Sequence, residues 1–437
     1  MSLEKTNLNY PLWKFFPLII FIFGPKIDIV TIPGFWQGIR PDDIVILFYS
    51  IYFLFSNKLR VYPNLINHRI FGFNWIIFFP YLVFSMVLGK FFEINSSLIV
   101  FLRYCEYIAL IIILNQLDPT KDKILLLFKL YIIINFLVVL LQYFDLIGAL
   151  TSRGGCLIDS SREEGISRCY NKGDITSICF FNCNYDFMKN YQPAGQFINK
   201  RVPGITGGPW ELSVNLSISF LALMLFEKNL KKLIPYILMI LIMMIIAQSR
   251  GIIFGFLSSL FFVSGNYKKT FKLSIIIIIF LIIIYFLNFF NFRQIINDKF
   301  LLDYMSLIKI IFASFSGSPL PPAESVTETG LESMYWRAVS WQETLASLRE
   351  SNFLLFFGTG GGVNIYNESL IVRVIASFGL VGTLITLYLA KKLPFFFIIF
   401  IFVTGITIDL FISFKIFLFS SLFLIIYFKY KKEIIKR

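Results

Sequence analysis

The amino-acid sequence predicts an all-α, polytopic membrane protein with about 12 transmembrane helices. Of the 437 residues, 57% are apolar and only 15% are charged, a balance that excludes an ordinary soluble domain. Apolar runs of about 20 residues recur along the chain, and each is long enough to cross the roughly 30 Å of hydrocarbon in a bilayer. Because the backbone finds no water partner there, runs this continuous are expected to be helices.

The predicted spans follow these apolar runs in order. They lie at about 12–24, 43–56, 70–89, 98–114, 124–148, 209–226, 233–248, 251–265, 272–290, 366–389, 394–409 and 412–428. The first two are short and could be re-entrant or partly interfacial. Lysine and arginine concentrate in alternate short connections, with about 20 on one side and about 5 on the other. This bias, rather than binding of nucleic acid, accounts for the formal net charge of +14 and predicts that both termini are cytoplasmic.

Two long connections are predicted on the outer face. They divide the chain into N-terminal helices (1–148), a first outer loop (149–208), central helices (209–290), a second outer loop (291–365) and C-terminal helices (366–437). Both loops mix aromatic and charged residues, so we expect folded caps, and long ordered connections often carry function. We find no inverted repeat of the kind that marks many transporters.

The stretch 331–382 joins the second outer loop to the span after it. Its glycine turn, Gly358–Gly362, lacks the Gly-Lys-Ser/Thr ending of a nucleotide-binding loop, and no strand precedes it. We interpret the turn as the entry to the span at 366–389, with direct contact to an anion as the alternative. A water-side segment would thus reach the mouth of a membrane helix, as chemistry on a lipid-anchored substrate requires.

Cysteines cluster in the first outer loop. Four of the five lie there: Cys156, Cys169, Cys179 and Cys183. An oxidising compartment and an even count favour two disulfides, with three connectivities open. A zinc site is the alternative, but the loop has neither a CxxC pair nor a nearby histidine, so we expect no metal.

Arginine carries the candidate chemistry. Arg201 precedes a turn rich in glycine and proline, Arg250 lies in a tight outer turn, Arg337 begins an Arg-x-x-x-Trp unit, and Arg373 lies about one turn inside a span. A lone arginine at a membrane face is usually a snorkelling anchor. Four buried without partners would cost several kcal/mol each, whereas a diphosphate satisfies several through bidentate contacts. The set therefore predicts an anionic ligand.

Other ionisable residues have two interpretations. Glu211 and Glu368 lie at predicted outer helix N-termini, where a carboxylate is either a helix cap or a general base for a sugar hydroxyl. Arg103 and Glu106 are three residues apart inside one span, which favours a structural ion pair. The only histidine, His68, is predicted in a cytoplasmic loop and cannot act at the outer face.

Several of these segments resemble the bacterial O-antigen polymerase/ligase superfamily over roughly residues 195–390. The matching residues are Arg201-x-x-Gly204 before Pro209, Ser249-Arg250, and Arg337…Trp341…Phe357-Gly-Thr-Gly360…Asn367-x-x-Leu370…Gly379-x-x-Gly382. Ligases of the superfamily place a histidine directly before the asparagine. Tyr366 stands there in this chain, so the resemblance favours the Wzy-type polymerase.

The resemblance implies a GT-C-like glycosyltransferase of the bacterial inner membrane that acts at the periplasmic face without metal, nucleotide sugar or other cofactor. It would transfer a growing glycan from undecaprenyl diphosphate onto a lipid-linked repeat unit, and a protein that limits chain length could be its partner. The candidate catalytic residues are Glu368 as first and Glu211 as second candidate base, with Arg250 and Arg337. The candidate substrate-binding residues are Arg201, Arg373, Tyr366, Asn367, Trp341 and Trp336.

Three points stay open at this stage. Trp341, Trp336 and Tyr366 could stack on sugar rings or belong to the core of a loop. A ligase would transfer finished glycan to another acceptor. A transporter or flippase of lipid-linked glycans would show inverted repeats, charges near the midplane on several helices and small outer loops.

Overall fold

The structure is a computed structural model that describes residues 12–24, 40–55, 75–92, 98–144, 202–227, 229–263, 267–287, 304–322, 332–360, 369–410 and 413–431. Within these ranges the chain is α-helical. The helices are α1 Leu12–Phe23, α2 Pro41–Phe55, α3 Trp75–Phe91, α4 Leu98–Leu117, α5 Lys121–Tyr143, α6 Pro209–Phe226, α7 Leu230–Ala247, α8 Arg250–Val263, α9 Tyr267–Leu287, α10 Tyr304–Ser316, α11 Glu332–Arg349, α12 Asn352–Phe357, α13 Leu370–Ala390, α14 Phe395–Gly405 and α15 Phe414–Lys429.

A helix lies at each of the predicted spans, and α10, α11 and α12 lie within the predicted second outer loop. Among the described residues, four helices are long and apolar enough to cross a membrane: Lys121–Tyr143, Pro209–Phe226, Leu230–Ala247 and Leu370–Tyr388. Shorter apolar helices accompany them, including most of α3, α8 and α14. The protein is therefore a helical membrane protein. The predicted start of the span at 366–389 is too early, because α13 begins at Leu370.

Several lysine-bearing helix ends lie together at one end of the bundle. At the start of α5, the Nζ of Lys121 lies 4.8 Å from the ring centroid of Tyr430 and 5.8 Å from that of Phe226. Lys429, at the end of α15, forms an ion pair of 2.7 Å with Asp118, which follows α4. The ends of α4, α6 and α15 thus meet the start of α5, as the predicted alternation of lysine-rich connections requires. We call this end of the bundle the lysine end.

Helix α6 lies at the centre of the bundle, where it packs against α5, α7, α8 and α15. Its serines are buried and bond back to the preceding turn: the hydroxyls of Ser213 and Ser217 donate to the carbonyls of Pro209 and Ser213 at 2.9 and 2.8 Å. In an apolar bundle every polar group needs such a partner. The polar composition of α6 is therefore compatible with its complete burial.

Glycine lets α8 approach α14 closely. An added Cβ on Gly255 would lie 2.6 Å from the Cγ2 of Thr404, and one on Gly251 would lie 2.7 Å from the Oγ1 of Thr407. The two glycines are four residues apart, the small-xxx-small spacing that brings membrane helices into backbone contact. This packing sets the position of Arg250, at the first residue of α8.

Helix α13 is broken at Gly379, whose φ of 62° and ψ of −169° are not helical. The glycine turn after α12 crosses this break: the backbone N–H groups of Thr359 and Gly360 donate to the carbonyls of Ala376 and Ser377 at 3.0 and 2.8 Å. Carbonyls that the break would leave without a partner are thus satisfied. The turn lies beside the middle of α13, so the prediction that it forms the entry to this helix is wrong.

The break and the turn interlock through glycines. An added Cβ on Gly358 would lie 2.5 Å from the backbone N of Gly379, and one on Gly360 would lie 2.6 Å from the Cα of Met86 in α3. Gly358 and Gly360 have positive φ, +72° and +71°. Glycine is therefore required here both by space and by backbone conformation.

Substitution Gly379→Ala is expected to lower the free energy of unfolding by more than about 1 kcal/mol, because alanine is strained at positive φ and its Cβ would collide with the backbone of Phe356. Denaturation of the purified protein in mixed micelles measures this change. Leu384→Ala is the matched control, since Leu384 lies on the same helix with 66% of its surface exposed. Equal stability of the two variants would contradict the interlock.

Candidate functional site

Charged side chains lie together at the end of the bundle opposite the lysine end, and all but Asp43 and Glu106, which are partly exposed, are buried. They lie on or next to α2, α4, α6, α13, α14 and α15, and they are Arg40, Asp43, Arg103, Glu106, Glu211, Arg373, Asp409 and Lys415. On α4, α6 and α15 they lie about 11–15 residues, or about 16–23 Å, from the lysine end. Ionisable residues inside a membrane bundle are costly, so such a cluster is a candidate functional site. We call it the buried charge network and its end of the bundle the arginine end.

Arg373 forms a buried ion pair with Asp409. The Nε of Arg373 lies 2.8 Å from Oδ2 of Asp409, and the two residues are only 5% and 4% exposed. The pair is held because the chain after α14 is attached to the start of α13: Leu370 N–H donates to the carbonyl of Ile408 at 3.1 Å. The charge of Arg373 is therefore compensated within the protein. The sequence argument that this arginine needs an anionic ligand for compensation is wrong.

Arg103 connects α4 to α2. Its Nη1 contacts Glu106 on the same helix and lies 3.1 Å from Oδ1 of Asp43. The predicted pairing of Arg103 with Glu106 is confirmed, and the contact with α2 extends it. Asp42, Asp43 and Glu106 bring carboxylate oxygens within 4.8 Å of one another, a spacing that could hold a metal ion. Arg103 already contacts two of these three carboxylates, which places a positive charge where a cation would bind.

Glu211 is completely buried on the first turn of α6. Its Oε2 accepts the backbone N–H of Gly207 at 2.7 Å, and its Oε1 accepts the hydroxyl of Ser413. A carboxylate that binds the backbone just before its own helix is a cap, and it stabilises the entering turn. These contacts fit the capping interpretation of Glu211 rather than the general base, because no solvent or substrate reaches the carboxylate in this arrangement.

Lys415 is a second anchor in the same region. Its Nζ donates to the carbonyl of Gly24, at the end of α1, at 2.6 Å and to that of Ile205 at 3.3 Å. It also lies within electrostatic reach of Glu211. The ammonium group thus joins α15, α1 and the turn before α6, and it satisfies carbonyls that have no helical partner.

The turn at 202–208 is held by amide side chains of α5. Gln142 contacts Gly204 twice, accepting its N–H at 2.9 Å and donating to its carbonyl at 3.1 Å. The Oδ1 of Asn135 accepts the N–H of Ile205 at 3.1 Å. The turn that follows Arg201 is therefore rigid, whereas Arg201 itself lies outside the described residues.

Arg250 lies next to the chain segment Ile406–Asp409, which follows α14. The adjacent residue, Gly251, is close enough that an added Cβ would lie 2.7 Å from the Oγ1 of Thr407. Arg250 is partly exposed, in contrast to Arg373. The segment that supplies the partner of Arg373 therefore also borders Arg250.

Arg337 approaches the same segment from α11. Met334 and Trp341, three residues before it and four after it, pack in one cluster with Val372 and Ile406. Residues at these spacings are neighbours on a helix surface, so Arg337 lies beside that cluster. Its side chain is partly exposed. The structure thus brings the helices that carry three of the four predicted arginines together at Ile406–Asp409.

The two tryptophans of α11 differ in burial. Trp341 is 0% exposed, and its ring centroid lies 5.6 Å from that of Phe315 in α10. The core interpretation is therefore confirmed for Trp341, and its prediction as a surface that stacks on sugar is wrong in this arrangement. Trp336 is 58% exposed beside Tyr335 and can present a ring face to a ligand.

Other predicted site residues lie outside the described residues: Glu368, Tyr366, Asn367, Arg201, Cys156, Cys169, Cys179 and Cys183. Sequence reasoning missed Asp409 and Asp43 as partners of arginines. It also missed Lys415 as an anchor, although a lysine on the predicted lysine-poor side was a usable signal.

Comparisons with protein-family models, curated proteins and solved structures found no match to this chain, so the family resemblance rests on the sequence segments alone.

Proposed function

We propose that the protein is a polysaccharide polymerase of the O-antigen (Wzy) type, a GT-C-like glycosyltransferase with about 12 spans. It transfers a growing glycan from undecaprenyl diphosphate onto a lipid-linked repeat unit. The observation that carries the proposal is the grouping of Arg250, Arg337 and Arg373 around Ile406–Asp409 at the arginine end. Arg250 and Arg337, partly exposed near the Arg373–Asp409 ion pair at one end of an apolar bundle, suit a lipid-linked diphosphate, whose charge lies at the membrane surface while its chain stays in the bilayer.

The orientation of the chain follows from its lysines. The lysine end faces the cytoplasm by the positive-inside rule, so both termini are cytoplasmic and the arginine end faces the periplasm of the bacterial inner membrane. At that face nucleotide sugars are absent, and the energy for glycan transfer comes from the sugar–diphosphate bond itself.

The reaction assigns each arginine a task. An acceptor hydroxyl oxygen attacks the anomeric carbon of the donor glycan, the bond from that carbon to the diphosphate oxygen breaks, and the diphosphate leaves with the electron pair. Arg250 and Arg337, both partly exposed, bind the diphosphate and neutralise its developing charge. Arg373 forms its ion pair with Asp409 and orients the site from its buried position. Glu368 is the first candidate for the base that takes the hydroxyl proton.

A transporter or flippase of lipid-linked glycans is the second candidate. Two observations favour it: ionisable residues are buried on several helices, and α13 is broken in its middle. Discontinuous helices and buried charges are common at the substrate sites of transporters. Against it stand α10–α12, which form a helical unit in a region where a flippase is expected to have only a short connection.

Liposomes that contain the purified protein and synthetic undecaprenyl diphosphate-linked repeat units separate these candidates. We expect a ladder of products with two or more repeats, resolved by gel electrophoresis and mass spectrometry. Empty liposomes control for spontaneous transfer. A substrate that merely changes leaflet, with no longer product, would refute the polymerase and support the flippase.

A further inference from the structure

We propose that Asn352–Gly360, which comprises α12 and the described part of the glycine turn, is a re-entrant segment inserted into the bilayer leaflet at the arginine end. Its exposed phenylalanines, Phe353 and Phe356, contact lipid acyl chains. The sequence alone assigns these residues to a water-side loop. The inference is independent of the proposed function, because it concerns only how the chain sits in the membrane.

The depth of the segment along α13 is the first argument. Thr359 and Gly360 donate their N–H groups to the carbonyls of Ala376 and Ser377. At 1.5 Å per residue, these carbonyls lie about 10 Å below the start of α13 at Leu370. The hydrocarbon of one leaflet is about 15 Å thick, so if α13 starts at the edge of the hydrocarbon, the glycine turn lies well inside it.

The depth along α3 agrees with this value. The hydroxyl of Ser85 donates to the carbonyl of Phe357 at 2.8 Å, and Gly360 lies against the backbone of Met86. Ser85 lies six residues from the end of α3 at Phe91, which corresponds to about 9 Å along the helix axis. Two helices on different sides of the segment therefore give the same depth.

The polar groups of the segment are satisfied as membrane insertion requires. Irregular backbone is tolerated at membrane depth only where protein groups replace water as partners. The carbonyl of Phe357 accepts the hydroxyl of Ser85, while Gly358 donates its N–H to the carbonyl of Leu354 at 2.8 Å. The hydroxyl of Tyr81 donates to the carbonyl of Phe378, at the break in α13.

The two faces of α12 differ in the way expected for a helix between protein and lipid. Leu354 is 2% exposed and packs with Ala376 and Leu348, whereas Phe353 and Phe356 are 61% and 48% exposed. Two phenylalanines so exposed on one short helix would be unfavourable in water, because removing such side chains from water stabilises a folded protein.

The exposed face of α12 continues that of α3, and this continuity identifies what covers it. Phe84, Val87 and Phe91 of α3 are 48%, 62% and 78% exposed. Phe84 joins the two surfaces, because its ring packs edge-to-face with that of Phe357 at 5.4 Å. The exposed phenylalanines of α12 therefore extend the outward apolar face of a membrane-bundle helix, and their partner is the hydrocarbon of the bilayer.

Photo-crosslinking of the unmodified full chain tests this placement. The protein is reconstituted with a phosphatidylcholine that carries a diazirine in its acyl chain, irradiated and digested with trypsin. We expect lipid adducts on Phe353 or Phe356, within the peptide between Arg349 and Arg373, as well as on the exposed residues of α3. Adducts on α3 together with none on 352–357 would overturn the proposal.

Cysteine accessibility provides a second, independent measurement. Phe353→Cys and Phe356→Cys are compared with Glu350→Cys, an exposed position in the same tryptic peptide, which has no native cysteine. In intact proteoliposomes we expect a membrane-impermeant maleimide to label the two former cysteines at least about tenfold more slowly, because thiolate and reagent are both excluded from hydrocarbon.

The two measurements together distinguish lipid from other surroundings. Labelling of either phenylalanine position as fast as Glu350→Cys would show a water-side segment and refute the insertion. Slow labelling without lipid adducts would show instead that protein, such as a second copy of this chain, covers α12. Should one cysteine variant fail to accumulate, the other variant and the unmodified chain still decide the question.

Discussion

Replacing Arg250 or Arg337 by alanine is expected to reduce chain extension about 10²–10³-fold, the loss found when one preorganised charge-stabilising group is removed from an active site. Both arginines lie on helices that meet Ile406–Asp409, and both are partly exposed. Their replacement by alanine therefore removes positive charge from the site without creating a cavity in the core. The measurement is the yield of products with two or more repeats from reconstituted protein.

Arg349→Ala is the matched control for these variants, because Arg349 is an exposed arginine at the end of the same helix as Arg337. It should retain nearly full activity. The conservative variants Arg250→Lys and Arg337→Lys should recover only part of the activity, since lysine keeps the charge but loses the bidentate geometry. Unchanged product ladders in either alanine variant would remove that arginine from the site.

A double-mutant cycle at Arg373 and Asp409 should reveal a strong coupling. Arg373→Met or Asp409→Leu alone is expected to cost about 3–5 kcal/mol of unfolding free energy, because each leaves a buried charge without its partner. The double variant should regain most of this loss, since apolar side chains of similar volume can replace a buried pair. Unfolding in mixed micelles measures all four proteins.

The activity of the double variant then separates positioning from folding. If Arg373 orients the site, the folded double variant should lack chain extension, whereas Arg373→Lys should retain part of it. An active double variant would show that the pair serves stability alone. If the loss of unfolding free energy in the double variant equals the sum of the losses in the two single variants, the ion pair itself is contradicted.

The helical layout could be predicted well from the sequence, because membrane spans are determined by length and polarity. The span at 209–226 agrees with α6 at both ends, where Pro209 occupies the first turn and Glu227 follows the last. The break in α13 could not be predicted in the same way. The apolar run continues through Gly379, and the residues that complete the break, Thr359 and Gly360, belong to a distant segment.

The candidate site was predicted in part for a related reason. The four outer-face arginines are visible in the sequence, and the helices that carry three of them meet at one segment in the structure. Their partners are not visible, because Asp409 is 36 residues from Arg373 and only the packing of α14 on α13 brings them together. Trp341 shows the same limit. The sequence around an aromatic residue does not distinguish a residue in the core of a loop from one that stacks on a sugar.

The break at Gly379 divides α13 into two parts that meet at a non-helical residue. The first part, Leu370–Phe378, carries Arg373, and the non-helical backbone of Gly379 separates it from the second part. Near Gly379, the first part accepts hydrogen bonds from the N–H groups of Thr359 and Gly360. At its other end it is hydrogen-bonded to the chain after α14. The break therefore leaves the part of α13 that carries Arg373 attached at both ends to other segments, the turn after α12 at one end and the chain after α14 at the other.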